Sequence, residues 1–296
     1  MKDDFRSLRK RIKKNRSLRK IMSSDNLPVL PELLSKLEKT LRDPKGDAGK
    51  IARLIESDPV IAGRLIKVAN SAAFGGRSKI VDLQMAVSRL GLNMIRQLVY
   101  SLVLPEIFID IHMVDHRQFW KHSLATANVT RKLAIERSND TAIGELAYMT
   151  GLVHDVGILL LALGLTNEYT EVIEQAYSEL RPLTEVENDI LGITHSQVGA
   201  VYVVERWELD ERIAEAIVQY EFVPEFDNED PLVISLYAAD SLCIAAGLPN
   251  GTLSDPEQQY PNPLQHMEKL GYDEATTESF VKFISELATS LESFLG

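Results

Sequence analysis

The chain has 296 residues, 45% hydrophobic and 25% charged, which fits one large or two ordinary globular domains, each able to bury a core. Its net charge of −11 is uneven: residues 1–20 hold ten Lys/Arg and two Asp, leaving −19 on the rest, a balance that argues against a broad nucleic-acid surface on the body. The single cysteine, Cys243, excludes an internal disulfide framework; with no apolar run near the roughly 20 residues of a membrane span and no secretory pattern, the expected setting is reducing and cytoplasmic.

Residues 1–24 form a basic arm. Arg9, Lys10, Lys13, Lys14, Arg16, Arg19 and Lys20 surround Phe5, Leu8, Ile12 and Leu18, which fall near helical spacing. A like-charge block of this kind is ordinarily a solvated tail. Contact with nucleic acid, with anionic lipid or with the acidic body are the alternatives.

Leu27-Pro28-Val29-Leu30-Pro31 leads into a first core helix, with Pro31 suited to the first helical position and Glu32 to the first turn. Leu33, Leu34, Leu37 and Leu41 follow at helical intervals, until Asp43-Pro44-Lys45-Gly46-Asp47 breaks the pattern. A second helix carries Ile51, Leu54 and Ile55. Asp58 before Pro59 reads as the cap of a third, running through Ile61, Leu65 and Val68 to Asn70-Ser71, with a turn at Phe74-Gly75-Gly76. A fourth (Leu83, Ala86, Val87, Leu90) is stopped by Gly91, and a fifth, Ile95–Ile107, is interrupted at Pro105.

After a weakly patterned connection over Phe108–Gln118, helices are predicted over Phe119–Arg137 and Thr141–Met149, the latter feeding the apolar run Met149–Leu161. Others are predicted over Glu168–Leu180, from a capping box at Thr184-x-x-Glu187, and over His195–Trp207, Glu211–Phe222 and Pro231–Ala246. A loop, Gly251–Pro263, precedes a closing helix, Asp273–Leu295. No strand-like alternation competes. The reading is all-α and two-lobed: a bundle over 25–110, a second helical lobe over 111–250, and a loop with a C-terminal helix over 251–296.

The chemistry concentrates at His154-Asp155, an ionisable pair inside an apolar run. Such groups are costly to bury unless hydrogen-bonded, paired or metal-bound. Successive helical residues diverge by roughly 100°, so the pair converges on one ion only if other helices bring further ligands. Elsewhere, His112 and His116 have i,i+4 spacing but sit in a polar junction without acidic partners, and read as surface histidines, as does His266. Trp120 and Trp207 read as core, and Cys243 as a buried, inert thiol. A P-loop, a strand-borne GxGxxG and a GxSxG elbow are all lacking, which removes the nucleotide-fold and serine-hydrolase readings.

Both lobes resemble the HDOD (HD-related output domain) family. In the first lobe the resemblance rests on the LPxLP lead-in, Asp58-Pro59, Asn70-Ser71 with Phe74, and Ala86 with Leu90-Gly91. In the second it rests on Trp120-x-His122-Ser123, Gly151-Leu152-x-His154-Asp155-x-Gly157, His195-Ser196-x-x-Gly199, Trp207 and Ala239-Asp240. The resemblance covers residues 25–250 and implies a bacterial signalling output module. The partners it implies are signalling proteins: histidine kinases, response regulators or cyclic-dinucleotide enzymes.

The wider HD superfamily consists of metal-dependent phosphohydrolases, and its minimal ligand set falls by motif on His122, His154, Asp155 and Asp240. Two imidazoles and two carboxylates suit iron, manganese, zinc or magnesium. The two-metal members add further histidines. His195 matches one, while a pair expected around Gln219-Tyr220 is absent, so a single-ion site at most is implied. The expectation is a non-catalytic module acting through protein–protein interaction, with a groove between its lobes; its site is either metal-free, with His122, His154 and Asp155 as a buried hydrogen-bonded group of structural role, or holds a catalytically idle ion. The alternative is a phosphohydrolase acting on a nucleotide or phosphomonoester, with His195 as its acid or base.

Overall fold

A computed structural model of the chain describes residues 5, 9–10, 13–24, 27–44, 47–70, 79–109, 111–221, 230–252, 267–268 and 270–295. The turn at Ser71–Gly76, Lys45-Gly46, the arm residues Leu8 and Ile12, the end of the helix predicted to Phe222, most of the Gly251–Pro263 loop and His266 lie outside them. Every regular element among the described residues is a helix.

The chain divides into two compact units, Pro28–Ile109 and a second made of Met1–Leu27 with Asp110–Gly296. In the first, α2 (Glu32–Arg42), α3 (Ala48–Glu56) and α4 (Pro59–Ala69) pack on the long α5 (Leu83–Ile107). Pro31 is the cap of α2 rather than its first helical residue. Asp58 caps α4 as read, its carboxylate accepting from the Val60 and Ile61 amides at 3.1 Å. Asn70 closes the same helix: its amide donates to the Ile66 and Ile80 carbonyls and its oxygen accepts from Ile80 N. Gly91, at φ +80°, kinks α5 where the sequence placed a stop. Pro105 does not interrupt it: the helix continues to Ile107.

In the other unit, α6 (His116–Ser138) is the central helix, packed by α7 (Ile143–Val153), α13 (Pro231–Ala245) and α14 (Glu274–Leu295). The connection before α6 is shorter than expected, because Asp115 caps the helix through Gln118 N. Around this core lie α8 (Val156–Gly164), α9 (Thr166–Glu179), α10 (Leu183–Leu191), α11 (His195–Glu205) and α12 (Glu211–Gln219). The predicted capping box fails: α10 is already capped at Pro182, and Thr184 and Glu187 lie inside the helix.

Residues expected to be a solvated tail are instead part of this unit. Helix α1 (Arg16–Met22) rests on α8, with Phe5, Leu18 and Ile21 buried. The stretch Ile143–Gly164 also corrects the reading that no apolar run approaches a membrane span. It is 22 residues long and apolar enough to cross one, yet 89% of its apolar window is buried inside the unit.

Two glycine contacts set the spacing at the centre. A Cβ on Gly151 would lie 2.7 Å from the Ala127 Cα, and one on Gly157 would lie 1.9 Å from the His195 carbonyl oxygen. Backbone therefore meets backbone where α7 crosses α6 and where α8 crosses α11, an approach only glycine permits.

Candidate metal centre

The apolar run around His154-Asp155 is not one helix. α7 ends at Val153 and α8 begins at Val156, so the pair forms the turn between them, with Asp155 at φ −97°, ψ 5°. This break, rather than helical periodicity, lets both side chains face the same pocket. α6 supplies His122 and α13 supplies Asp240. All four residues are buried.

Each imidazole of the pair His122/His154 is oriented from behind. His122 Nδ1 lies 2.7 Å from the Leu248 carbonyl, and His154 Nδ1 lies 2.8 Å from the Gly151 carbonyl. Carbonyl oxygens only accept, so both Nδ1 atoms donate and both Nε2 atoms face inward. The two Nε2 atoms are 3.3 Å apart. His122 Nε2 is 3.1 Å from Asp240 Oδ1, and His154 Nε2 is 3.3 Å from Asp155 Oδ1 and 3.8 Å from Asp240 Oδ1. Ligand atoms of His122, His154 and Asp155 all fall within 4.8 Å of one another.

Tetrahedral ligands bonded at about 2.0–2.1 Å stand about 3.3 Å apart, so these separations suit a first-row divalent ion. The donor set points the same way, since two inward nitrogen lone pairs and two carboxylates call for a positive charge between them. Without an ion a proton supplies it. Burial works to lower the His154 pKa, but the Asp155 charge and the Asp240 hydrogen bond hold it up to about 9. Burial likewise opposes ionisation of Asp155 and Asp240; the His154 charge holds Asp155 down to about 2, and the His122 and His154 bonds hold Asp240 lower still. A divalent ion in this seat would polarise an oxygen bound to it.

His195 stands beside the seat with both ring nitrogens turned to carboxylates. Nδ1 lies 2.9 and 3.0 Å from the two Glu187 oxygens, and Nε2 lies 3.5 Å from Asp155 Oδ1 and 3.7 Å from Glu221 Oε1. Burial is again outweighed by these carboxylates, and the imidazole titrates well above its ordinary value. Glu187 also accepts from His195 N at 2.8 Å and from the Tyr169 hydroxyl at 2.7 Å. Glu221 receives the Ser196 hydroxyl, and burial pushes its carboxyl up to about 7 against the pull of His195.

The structure thus brings His122, His154, Asp155 and Asp240 together with His195 next to them. It leaves His112 exposed and uses His116 to accept the Trp120 indole N–H at 3.1 Å. Where the sequence lacks the histidine pair, the Tyr220 hydroxyl stands 3.5 Å from Asp155 Oδ1. Sequence reasoning missed Glu187, Glu221 and Asn250, whose side-chain amide donates to Asp155 Oδ2 at 3.0 Å. None of the three carries a local signal. Glu187 resembles a capping residue, and Asn250 looks like a turn residue in Pro-Asn-Gly.

The sequence pattern of the HDOD domain matches residues 27–222. The chain belongs to the HDOD family. A curated, uncharacterised relative from Treponema pallidum (strain Nichols) is 25% identical over 225 residues, 74% of this chain, and the match spans 42% of that protein's own length. An HDOD domain protein of unknown function from Geobacter sulfurreducens has a TM-score of 0.72 at 22% identity, over 96% of this chain and 97% of the other. A Shewanella amazonensis SB2B protein, provisionally described as a phosphohydrolase, has 0.73 at 19%, over 95% and 99%. One from Marinobacter aquaeolei VT8, provisionally described as a signal transduction protein, has 0.72 at 21%, over 99% and 67%. These likenesses show the HDOD fold.

Proposed function

We propose that this HDOD chain is a regulatory module of signal transduction that works by binding other proteins, and that its HD pocket is a single-cation seat rather than a hydrolase centre. Proteins of the same fold are described both as a signal transduction protein and as a phosphohydrolase, so the fold does not choose between the readings. The residues around His195 favour the non-catalytic reading. Both of its ring nitrogens face carboxylates, and Tyr220 occupies the position expected of another imidazole. For a second ion, which phosphodiester hydrolysis on this plan uses to stabilise the leaving oxygen, the described residues offer no further imidazole beside His195.

In this reading His122, His154, Asp155 and Asp240 hold one divalent ion of the iron, manganese, zinc or magnesium class. The ion ties α6, the α7–α8 turn and α13 together and so stiffens the surface offered to a partner. The partners proposed are histidine kinases, response regulators or cyclic-dinucleotide enzymes.

The test is turnover. Purified chain supplied with Mn²⁺, Fe²⁺ or Zn²⁺ is expected to hydrolyse neither cyclic dinucleotides, nor nucleoside monophosphates, nor an aryl phosphate above the level of His154→Ala. Hydrolysis abolished by His154→Ala would overturn the proposal in favour of a one-ion phosphohydrolase, with His195 as its proton donor or acceptor.

A further inference from the structure

The described residues of the basic arm dock on the His195 side of the pocket, and Arg9 also reaches Glu211 at the start of α12, at 3.5 Å. Arg9 Nε and Lys13 Nζ each lie 2.7 Å from Glu205 Oε1 at the C-terminal end of α11. Asn15 Nδ2 donates at 3.1 Å to the Leu191 and Gly192 carbonyls, in the turn that enters α11 at His195. Arg206 reaches back to the Met22 carbonyl, so α11 is gripped near both ends. Lys20 Nζ pairs with Glu168 Oε1 on α9 at 2.7 Å, and Ile21 is buried against Gly164 at the end of α8.

These contacts follow the chemistry. α8 begins next to Asp155, α9 carries Tyr169, α10 carries Glu187 and α11 begins with His195. Those residues form the chain Tyr169–Glu187–His195–Asp155. His122 and Asp240 stand on α6 and α13, and His154, in the turn before α8, is oriented by the Gly151 carbonyl of α7. The turn held by Asn15 is three residues long, from Gly192 at φ +65° to Thr194, the cap of α11. Glu187 grips its far end through His195 N.

We infer that Arg9, Lys13 and Asn15 form a salt-sensitive latch on the His195 side of the pocket: docked, they hold His195 in register with Glu187 and Asp155, and released, they let that side relax while the His122/His154/Asp240 side keeps its arrangement. The ion pairs that close the latch are partly exposed, with Lys13 at 52%, Arg9 at 29% and Glu205 at 18%, so salt weakens them. Leu18 and Ile21 are buried and anchor the far end of the arm, so the part that opens at low cost is the ion-paired stretch before them, held by polar contacts. The inference rests on reading this pocket as the functional centre, but not on an ion being bound there.

The test uses the full chain without added metal and reads two signals at one pH: the rate of tryptic cleavage within residues 9–20, and the histidine ring resonances by NMR. Arg9→Glu/Lys13→Glu is expected to raise cleavage about tenfold and to shift the His195 resonances, leaving those of His122 and His154 in place. Adding Glu205→Lys restores both signals. Should the double variant fail to fold, the wild-type chain taken to about 0.5 M salt must show the same pair of changes. A freed arm with unmoved His195 resonances, or all three histidines shifting together, or cleavage unaffected by charge reversal and by salt, overturns the latch. Neither signal requires a metal, so loss of the cation-seat proposal leaves this test intact.

Discussion

His154 carries the main electrostatic consequence of the site. In the ion-free protein its pKa stands near 9, so at neutral pH the seat holds a proton that an incoming ion must displace. Affinity for Zn²⁺ or Mn²⁺ is therefore expected to climb with pH, by up to about tenfold per unit, and to level off near pH 9. Chelator-competition titrations from pH 6 to 9.5 read this directly; a flat profile would place the proton elsewhere. The stability sign follows. A raised histidine pKa contributes stability that is complete below the ordinary value and is lost as pH rises through about 9. Ion-free protein should thus weaken between about pH 6.5 and pH 9 more than the His154→Ala variant does.

Glu187 makes a second residue-scale prediction. It accepts from the Tyr169 hydroxyl, the His195 amide and the His195 ring, all buried. Glu187→Ala leaves those donors without an acceptor and is expected to cost about 3 kcal/mol or more, measured by urea unfolding. A cost below about 1 kcal/mol would show that water replaces the carboxylate. The pair His154-Asp155 was legible as ionisable groups in an apolar run, whereas His122 and Asp240 were placed only through the motif that the family resemblance supplies. Glu187 was not, because one glutamate inside a helix looks like any other and its partner lies eight residues on.

Helix by helix, apolar periodicity and caps were the readable part: Asp58 before Pro59, the kink at Gly91, the closing helix near 274–295. Asp58→Ala should cost about 1 kcal/mol of stability in thermal unfolding, the usual loss for an aspartate cap. What periodicity could not reveal is the break at His154-Asp155. An unbroken apolar run contains no stop signal, and the turn is imposed by packing, with Gly151 against Ala127 and Gly157 against the His195 carbonyl. Gly157→Ala puts a methyl carbon where 1.9 Å is available, and since the obstacle is backbone, α8 and α11 must separate. Its expected result is an unfolded or loosened C-terminal unit by circular dichroism. A native melting curve would mean that the crossing is far more compliant than its distances indicate.

For the molecule as a whole, composition pointed to an acidic body with a basic head but not to where the head goes. Arg9 and Glu205 are 196 positions apart, and nothing local to either announces the other. The docked arm and the C-terminal helix both belong to the unit that houses the pocket, so a division at residues 24 and 250 separates pieces that are packed together. The two units each fold around helices whose apolar faces were visible in the sequence. The pocket's inner ring brings two imidazoles and two carboxylates together, and beside it stands one further imidazole, His195, with carboxylates and a tyrosine around it. Counting ions tests that description most directly. Chain saturated with Mn²⁺ or Zn²⁺ at pH 8 and freed of excess should carry one ion per chain by elemental analysis, and none in His154→Ala. Two ions per chain, or one that persists in the variant, would contradict it.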